Sequence, residues 1–252
     1  MFPISVVIIT KNEAHCIQDC IASARKVSND IIVVDSGSAD DTIALARQAG
    51  ATIITTEWVN YSTSRNIGAN AALHHWVLAL DADERLSKSL VQSIRKLVPP
   101  SRLYVYGFKR ENFFSGKKIR FGDWGNDVVY RLYNRKVTEW NLVPVHEKLL
   151  IHTDMQTLLL DGKLTHFTVK DMDEYKEKTV RYAMLSAYKY QQLQRKPNLV
   201  KRGGAPIVNF FICYVCKLGF LDGKEGLLIA LHTAYYTWLK YHYFHKLTAN
   251  SY

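Results

Sequence analysis

Four short runs of β-branched and aliphatic residues punctuate the first eighty positions: Ile4–Thr10, Asp30–Asp35, Ala51–Thr55 and Trp76–Leu80. Runs this short and this apolar predict strands of a buried parallel sheet. Helical patterns separate them. Ile17, Ile21 and Ala24 share one face of a first helix, which Asn12 can cap. Ser38–Asp41 opens a second helix that Gly50 ends, Ser62–Leu73 forms a third, and Ser87–Leu97 a fourth stopped by Pro99-Pro100. Strand–helix alternation at this spacing predicts an α/β fold, an open sheet with helices on both faces.

From Leu103 the pattern changes. Tyr104–Arg110, Val128–Tyr133 and Leu158–Leu160 read as strands, with a turn at Ser115–Lys118. Asp171–Gln194 is a long polar helix and Arg195–Gly204 a basic, breaker-rich linker. Two aromatic-rich apolar segments follow, Ala205–Leu221 and Leu227–Phe244. The longest charge-free stretch, Gly203–Cys216, is too short for a spanning helix, which needs about 20 residues. Aromatics with lysines at their edges suit a helical hairpin lying in a lipid headgroup region, or one packed on protein as a dimer contact. The division expected is an open-sheet half at 1–100, a second half of the same domain at 101–194, and the apolar hairpin at 195–252.

Charge sharpens this division. The 252 residues carry a net charge of +10. The first hundred hold 9 Lys and Arg against 10 Asp and Glu, so the whole excess lies in the remainder. A basic second part implies an anionic partner, whether nucleic acid, acidic lipid or phosphorylated substrate. The opening MFPISVVIITKNE has no basic leader and reads as a buried strand rather than a signal peptide. Four cysteines are too few for a disulfide-built domain, and the expected compartment is the cytoplasm.

Candidate chemistry sits at predicted strand ends, where ligands of open α/β sheets bind. Asp35, followed by Ser36-Gly37-Ser38, can accept hydrogen bonds from a base or ribose, or cap the next helix. Asp81 and Asp83, two apart after Trp76–Leu80, can jointly face a divalent cation shared with a diphosphate, or form an exposed acidic turn with Glu84 and Arg85. Glu147, beside His146, can serve as a general base or as half of a structural pair. His166 can ligate metal, contact phosphate or be a core histidine.

Taken together, ISVVIITKNE, IIVVDSGSADDT and YSTSRNIGANAALHHWVLALDADE resemble glycosyltransferase family 2, the GT-A-fold inverting sugar transferases. Trp124, Asp127 and Arg131-Leu132, then Val145–Leu149, then His166 and the closing LGFLDGKEGLLIALHTAYYTWLKY resemble a narrower group. Those are the bacterial lipopolysaccharide enzymes that place β-linked glucose on inner-core heptose. The resemblance implies a GT-A fold, a Rossmann-like open sheet with a C-terminal helical extension. It implies that Thr10, Asn12, Glu13 and Asp35 hold the uridine of a UDP-sugar, UDP-glucose favoured, with Arg65 and Asp81 on the nucleotide sugar. It further implies Asp83 as the direct ligand of Mg²⁺ or Mn²⁺, with His166 completing that shell, and Glu147 as base with Asp127 its rival. Arg131 and Trp124 fall on the acceptor side, facing an anionic glycolipid.

No QxxRW string of the processive members is present, which argues against a polysaccharide synthase. The resulting expectation is a metal-dependent inverting hexosyltransferase, cytoplasmic, peripherally associated with the inner-membrane surface, and a possible homo-oligomer through its C-terminal helices. Alternatives are a family 2 transferase acting on another lipid-linked acceptor, such as an undecaprenyl-diphosphate sugar, and a non-enzymatic basic lipid- or nucleic-acid-binding module. No helix-turn-helix, zinc or RNP string supports the last, so nucleic acid is not an expected partner.

Overall fold

The structure, a computed structural model, describes residues 2–143, 147–195 and 199–249. It has two compact units, each made of two stretches of chain: Met1–Arg110 with Val128–His166, and Glu111–Asp127 with Phe167–Tyr252.

In the first unit β1 (Ile4–Thr10), β2 (Asp30–Asp35), β3 (Thr52–Thr55) and β4 (Trp76–Asp81) are parallel, in the order β3-β2-β1-β4. The sheet continues through β8 (Asp127–Asn134), antiparallel to β4, then β6 (Tyr104–Phe114), β9 (Gln156–Val169) and β5 (Glu84–Leu86). This is the open α/β sheet expected, and its antiparallel pairs make it mixed. Every residue of β1 is buried, as a central strand with both faces covered requires.

Strand alternation sorts the core into two layers. Val6, Ile8, Val33 and Leu80 pack with Ile17 and Ile21 of α1 (Ile17–Ala24) and Leu90 of α4 (Lys88–Lys96). Val7, Val34 and Ala79 face the other way, toward Ala69 of α3 (Tyr61–Ala71). Asn60 caps α3, its side chain accepting from Thr63 N at 2.8 Å. Gly68 lets this helix approach the sheet: a Cβ there would lie 2.3 Å from Val7 Cγ1 and 2.8 Å from Val34 Cγ2. That close approach brings Arg65, one turn earlier, under the protein surface.

Three expectations need correction. Asn12 does not cap α1. It adopts φ 57°, and its Oδ1 accepts from Ala39 N at 2.8 Å, tying the loop after β1 to the loop after β2. Leu158–Leu160 lies near the start of a fourteen-residue strand, β9, whose polar positions hide it from a search for apolar runs. Nor is Glu84 part of an exposed turn: it is fully buried on β5, opposite His166 of β9, while Arg85 pairs with Asp19 at 2.8 Å.

In the second unit β7 (Lys117–Lys118) folds back on the end of β6 through Ser115-Gly116, both at positive φ. Asp171 caps α5 (Met172–Gln192), accepting from Asp173 N and Glu174 N. Then come α6 (Leu199–Phe211), a π-helical turn Ile212–Cys216, a 3-10 turn Gly219–Asp222 and α7 (Lys224–Ala249). The expected linker Arg195–Gly204 is therefore partly helix, since α6 starts at Leu199 and runs through Gly203, Gly204 and Pro206. Tertiary packing overrides the poor propensity of that string. Phe210 joins a core with Cys213, Ile229 and Ala230, and Asn209 Nδ2 donates to Thr237 Oγ1 at 2.9 Å. Among the described residues no helix is long and apolar enough to cross a membrane.

Candidate active site

At the carboxyl ends of the parallel strands of the first unit, the loops after β1 and β2 interlock. Thr10 ends β1 opposite Asp35, which ends β2. Both Asp35 oxygens are engaged by its own turn: Oδ1 accepts from Gly37 N and Ser38 N, each at 2.9 Å, and Oδ2 from Ser38 Oγ at 2.5 Å. Gly37, at φ +85°, supplies the left-handed step this turn needs. Asn12 N donates to Ser38 Oγ and Glu13 N to Thr42 Oγ1, each at 2.8 Å. The Thr10 hydroxyl is buried with no partner among the described residues, a polar atom left for a ligand to satisfy. Thr10, Asn12, Glu13 and Asp35 are thus assembled at one sheet edge.

The neighbouring cluster is built around Arg65, whose side chain is 1% exposed. Its Nη2 donates to Asp81 Oδ1 and its Nη1 to Glu147 Oε1, both at 2.5 Å. Arg131 Nη2 donates to the other Asp81 oxygen at 2.9 Å and lies 3.7 Å from Glu84 Oε1. Arg110 Nη1 reaches the same Glu84 oxygen at 3.2 Å, and Glu84 Oε2 accepts from Asp81 N at 2.9 Å. Three guanidiniums thereby face three carboxylates, which is how charge survives burial. The Trp140 ring carries both the Arg65 and Arg131 guanidiniums, at 4.6 and 5.4 Å from its centroid. Asn66, next to Arg65, clasps the Trp140 backbone in both directions: Nδ2 to the carbonyl at 2.9 Å and Oδ1 from the amide at 3.0 Å. This clasp anchors the chain that leads to Glu147. His146 lies outside the described residues.

Electrostatics follow from the geometry. Burial opposes ionisation of Asp81, but Arg131 and Arg65 outweigh it and hold its carboxyl well below the usual range. Burial likewise opposes ionisation of Glu147, and Arg65 overcomes it, so that pKa is lowered too. A carboxylate depressed in the folded state contributes stability above its unfolded pKa, and this is lost as pH falls through the folded value. Thermal stability should therefore decline on acidification below about pH 4, the unfolded carboxylate range. Glu147→Gln should make that decline shallower in a melting series against pH, and an unchanged slope would contradict its pairing with Arg65.

Asp83 follows a different course from Asp81. Its Oδ2 lies 3.3 Å from His166 Nε2, and both side chains are largely buried. Asp81 gives its two carboxylate oxygens to Arg65 and Arg131, whereas Asp83 meets His166. β4 ends at Asp81, Ala82-Asp83 form a turn, and same-side projection of residues two apart holds only within a strand. A carboxylate and an imidazole converging at 3.3 Å are donors that suit Mn²⁺ or Mg²⁺, with further positions filled by diphosphate and water. Among the described residues the one converging group of three possible ligands is Glu13, His15 and Cys16. There burial, with Glu13 alongside, pushes the Cys16 thiol far up, and the protonated sulfur bonds to Glu13 Oε2 at 3.1 Å. That thiol is a poor ligand.

Arg131, expected on the acceptor side, is buried in the cluster, with Nη1 buried and unpartnered among the described residues. Trp124 and Asp127 belong to the second unit. Trp124 packs among Phe114 and Tyr175, and Asn112 Nδ2 bonds both the Trp124 carbonyl, at 2.9 Å, and Asp127 Oδ2, at 3.3 Å. Glu84, Arg110, Asn66 and Trp140 were not singled out as site residues from sequence. The one signal for Glu84 is its place directly after the DAD string.

Comparison with known proteins places the chain among glycosyltransferases. The chain is 28% identical over 251 residues to an uncharacterized glycosyltransferase of Rickettsia felis, covering 95% of this chain and 88% of that protein. It is 27% identical over 259 residues to the lipopolysaccharide core biosynthesis glycosyltransferase LpsC of Rhizobium meliloti, covering 92% and 90%. Among solved structures, it is similar to glucosyl-3-phosphoglycerate synthase from Mycobacterium tuberculosis, 25% identical over 44% of each chain, with a TM-score of 0.35. The model of glycosyl transferase family 2 matches residues 5–153, more than half of the chain and nearly all of the cluster just described, and the protein belongs to that family.

Proposed function

We propose that this family 2 glycosyltransferase moves a hexose, glucose in first place, from a UDP-sugar to a heptose of the lipopolysaccharide inner core, with inversion at the anomeric carbon. The observation that carries this reading is the Arg65 bridge between Asp81 and Glu147, next to the Asp83–His166 pair. It puts a fixed carboxylate pair and a metal-type donor set within one compact unit at the sheet's carboxyl edge. Similarity to LpsC over most of both chains supports the acceptor class.

In this reading the uridine rests on the edge formed by Thr10, Asn12, Glu13 and Asp35. Asp83 and His166 would hold Mg²⁺ or Mn²⁺, which when bound supplies Lewis-acid neutralisation of the leaving diphosphate. Glu147, kept ionised by Arg65, accepts the acceptor hydroxyl proton. The acceptor oxygen forms its bond to the anomeric carbon as the bond to the UDP oxygen breaks on the opposite face, which inverts that centre. Catalysis is chiefly positioning and electrostatics.

Transfer from UDP-glucose or UDP-galactose to heptose-bearing and heptose-deficient core acceptors tests the substrate assignment. Product with the heptose-deficient acceptor would overturn it, as would product with an undecaprenyl-diphosphate sugar alone. Glu147→Gln is expected to lower turnover by about 10²–10⁴-fold while UDP binding persists. If Asp127→Asn alone has that effect, Asp127 is the base.

A further inference from the structure

The second unit exposes apolar side chains where its last two helices join. Phe211, Ile212, Val215, Leu218, Phe220 and Leu221 lie within eleven consecutive residues and are each 40–54% exposed. A concentration of this kind is unusual for a surface that meets only water. The elbow is not a frayed end. Asp222, buried, accepts from Arg120 N at 3.0 Å and Phe121 N at 2.8 Å, and Gly122 N donates to the Lys217 carbonyl at 2.9 Å. Lys117 Nζ bonds the Asp222 carbonyl at 2.8 Å and Glu225 at 2.6 Å.

Within this braced turn Leu218 adopts φ 57°, a left-handed conformation that a branched side chain resists. The fold thus holds a strained backbone and leaves the leucine outside. Burial of its own core does not explain that placement, whereas a partner for the exposed side chain would.

We infer that this elbow is a membrane-docking wedge that inserts its apolar side chains into the interface of an anionic bilayer. Charge selects the occupant. At the elbow and the loop braced to it, Lys117, Arg120, Lys217 and Lys224 stand against Asp123, Asp222 and Glu225. Lys217 pairs with Asp123 and Lys117 with Glu225, each at 2.6 Å, so among the described residues the exposed Arg120 and Lys224 carry the excess positive charge beside the tip. Cations around an apolar tip match acidic headgroups over hydrocarbon. A second copy of this chain would instead bring Arg120 and Lys224 of each copy to one interface, like charge against like charge. Among the described residues no helix is long and apolar enough to span, and the proposed contact is with one leaflet. The inference is independent of the sugar-transfer reading, because its test contains neither donor nor acceptor.

The test is co-sedimentation of the full chain with vesicles of phosphatidylcholine alone or with a quarter phosphatidylglycerol, alongside sedimentation velocity without lipid. Binding is expected only to the anionic vesicles. Phe220→Ser combined with Leu221→Ser should weaken it by about tenfold or more while leaving the melting temperature unchanged. Leu218→Gly removes a side chain and relieves its left-handed strain, so it should weaken binding without loss of fold even if the double variant is unstable. The inference is overturned if the wild-type chain ignores anionic vesicles or if folded variants bind undiminished. It is equally overturned if the substitutions dissociate a dimer and leave vesicle binding intact.

Discussion

Arg65→Met is expected to lower unfolding free energy by about 3–5 kcal/mol, the cost of stranding buried charge by removing one partner. The substitution keeps most of the side-chain volume and the contact with Trp140, so the loss isolates charge rather than packing. Asp81 keeps Arg131 at 2.9 Å, whereas Glu147 pairs with Arg65 alone among the described residues. Glu147 should therefore leave the cluster or take up a proton. Arg65→Lys should recover part of the loss, because one ammonium cannot serve both carboxylates with the geometry of a planar fork. Urea unfolding of the three proteins at neutral pH measures this. A Met variant within 1 kcal/mol of the parent, on the order of an exposed pair, would show that the cluster contributes little to stability.

What the sequence made legible follows from distance along the chain. The parallel strands were readable because burial on both faces leaves uninterrupted Val and Ile in β1 and β2. The strand-end carboxylates were readable because turn and strand are local. The partners of Arg65 were not, since Asp81 is 16 residues away and Glu147 is 82, and an arginine on a polar helix carries no mark of burial. Its burial comes from Gly68, three residues on, and that glycine reads locally as a weak point in a helix. β5 was hidden by its length of three residues, and with it the pairing that sets Glu84 opposite His166. The helix through Gly203-Gly204-Pro206 was hidden for the opposite reason: local chemistry argued against it, and packing against α7 decided otherwise.

Asp83→Asn is expected to reduce transfer by about 10³-fold, as loss of several kcal/mol of charge neutralisation on the departing diphosphate implies. The isosteric amide leaves the turn after β4 in place and does not touch the Arg65–Asp81–Arg131 network, so the melting temperature should stay at the parent value. Added Mn²⁺ should tighten UDP binding to the parent and not to the variant in calorimetry. His166→Ala should share the calorimetric phenotype in weaker form, since the imidazole is the second donor of the same pair, 3.3 Å from Asp83. Asp81→Asn should behave in the reverse way, losing stability because it is the carboxylate that both guanidiniums grip. The DAD string then separates by measurement into an acid that holds the site together and an acid that holds the ion. Retention of Mn²⁺-dependent UDP binding in Asp83→Asn would remove the ion from that aspartate and leave the pair with His166 a purely structural contact.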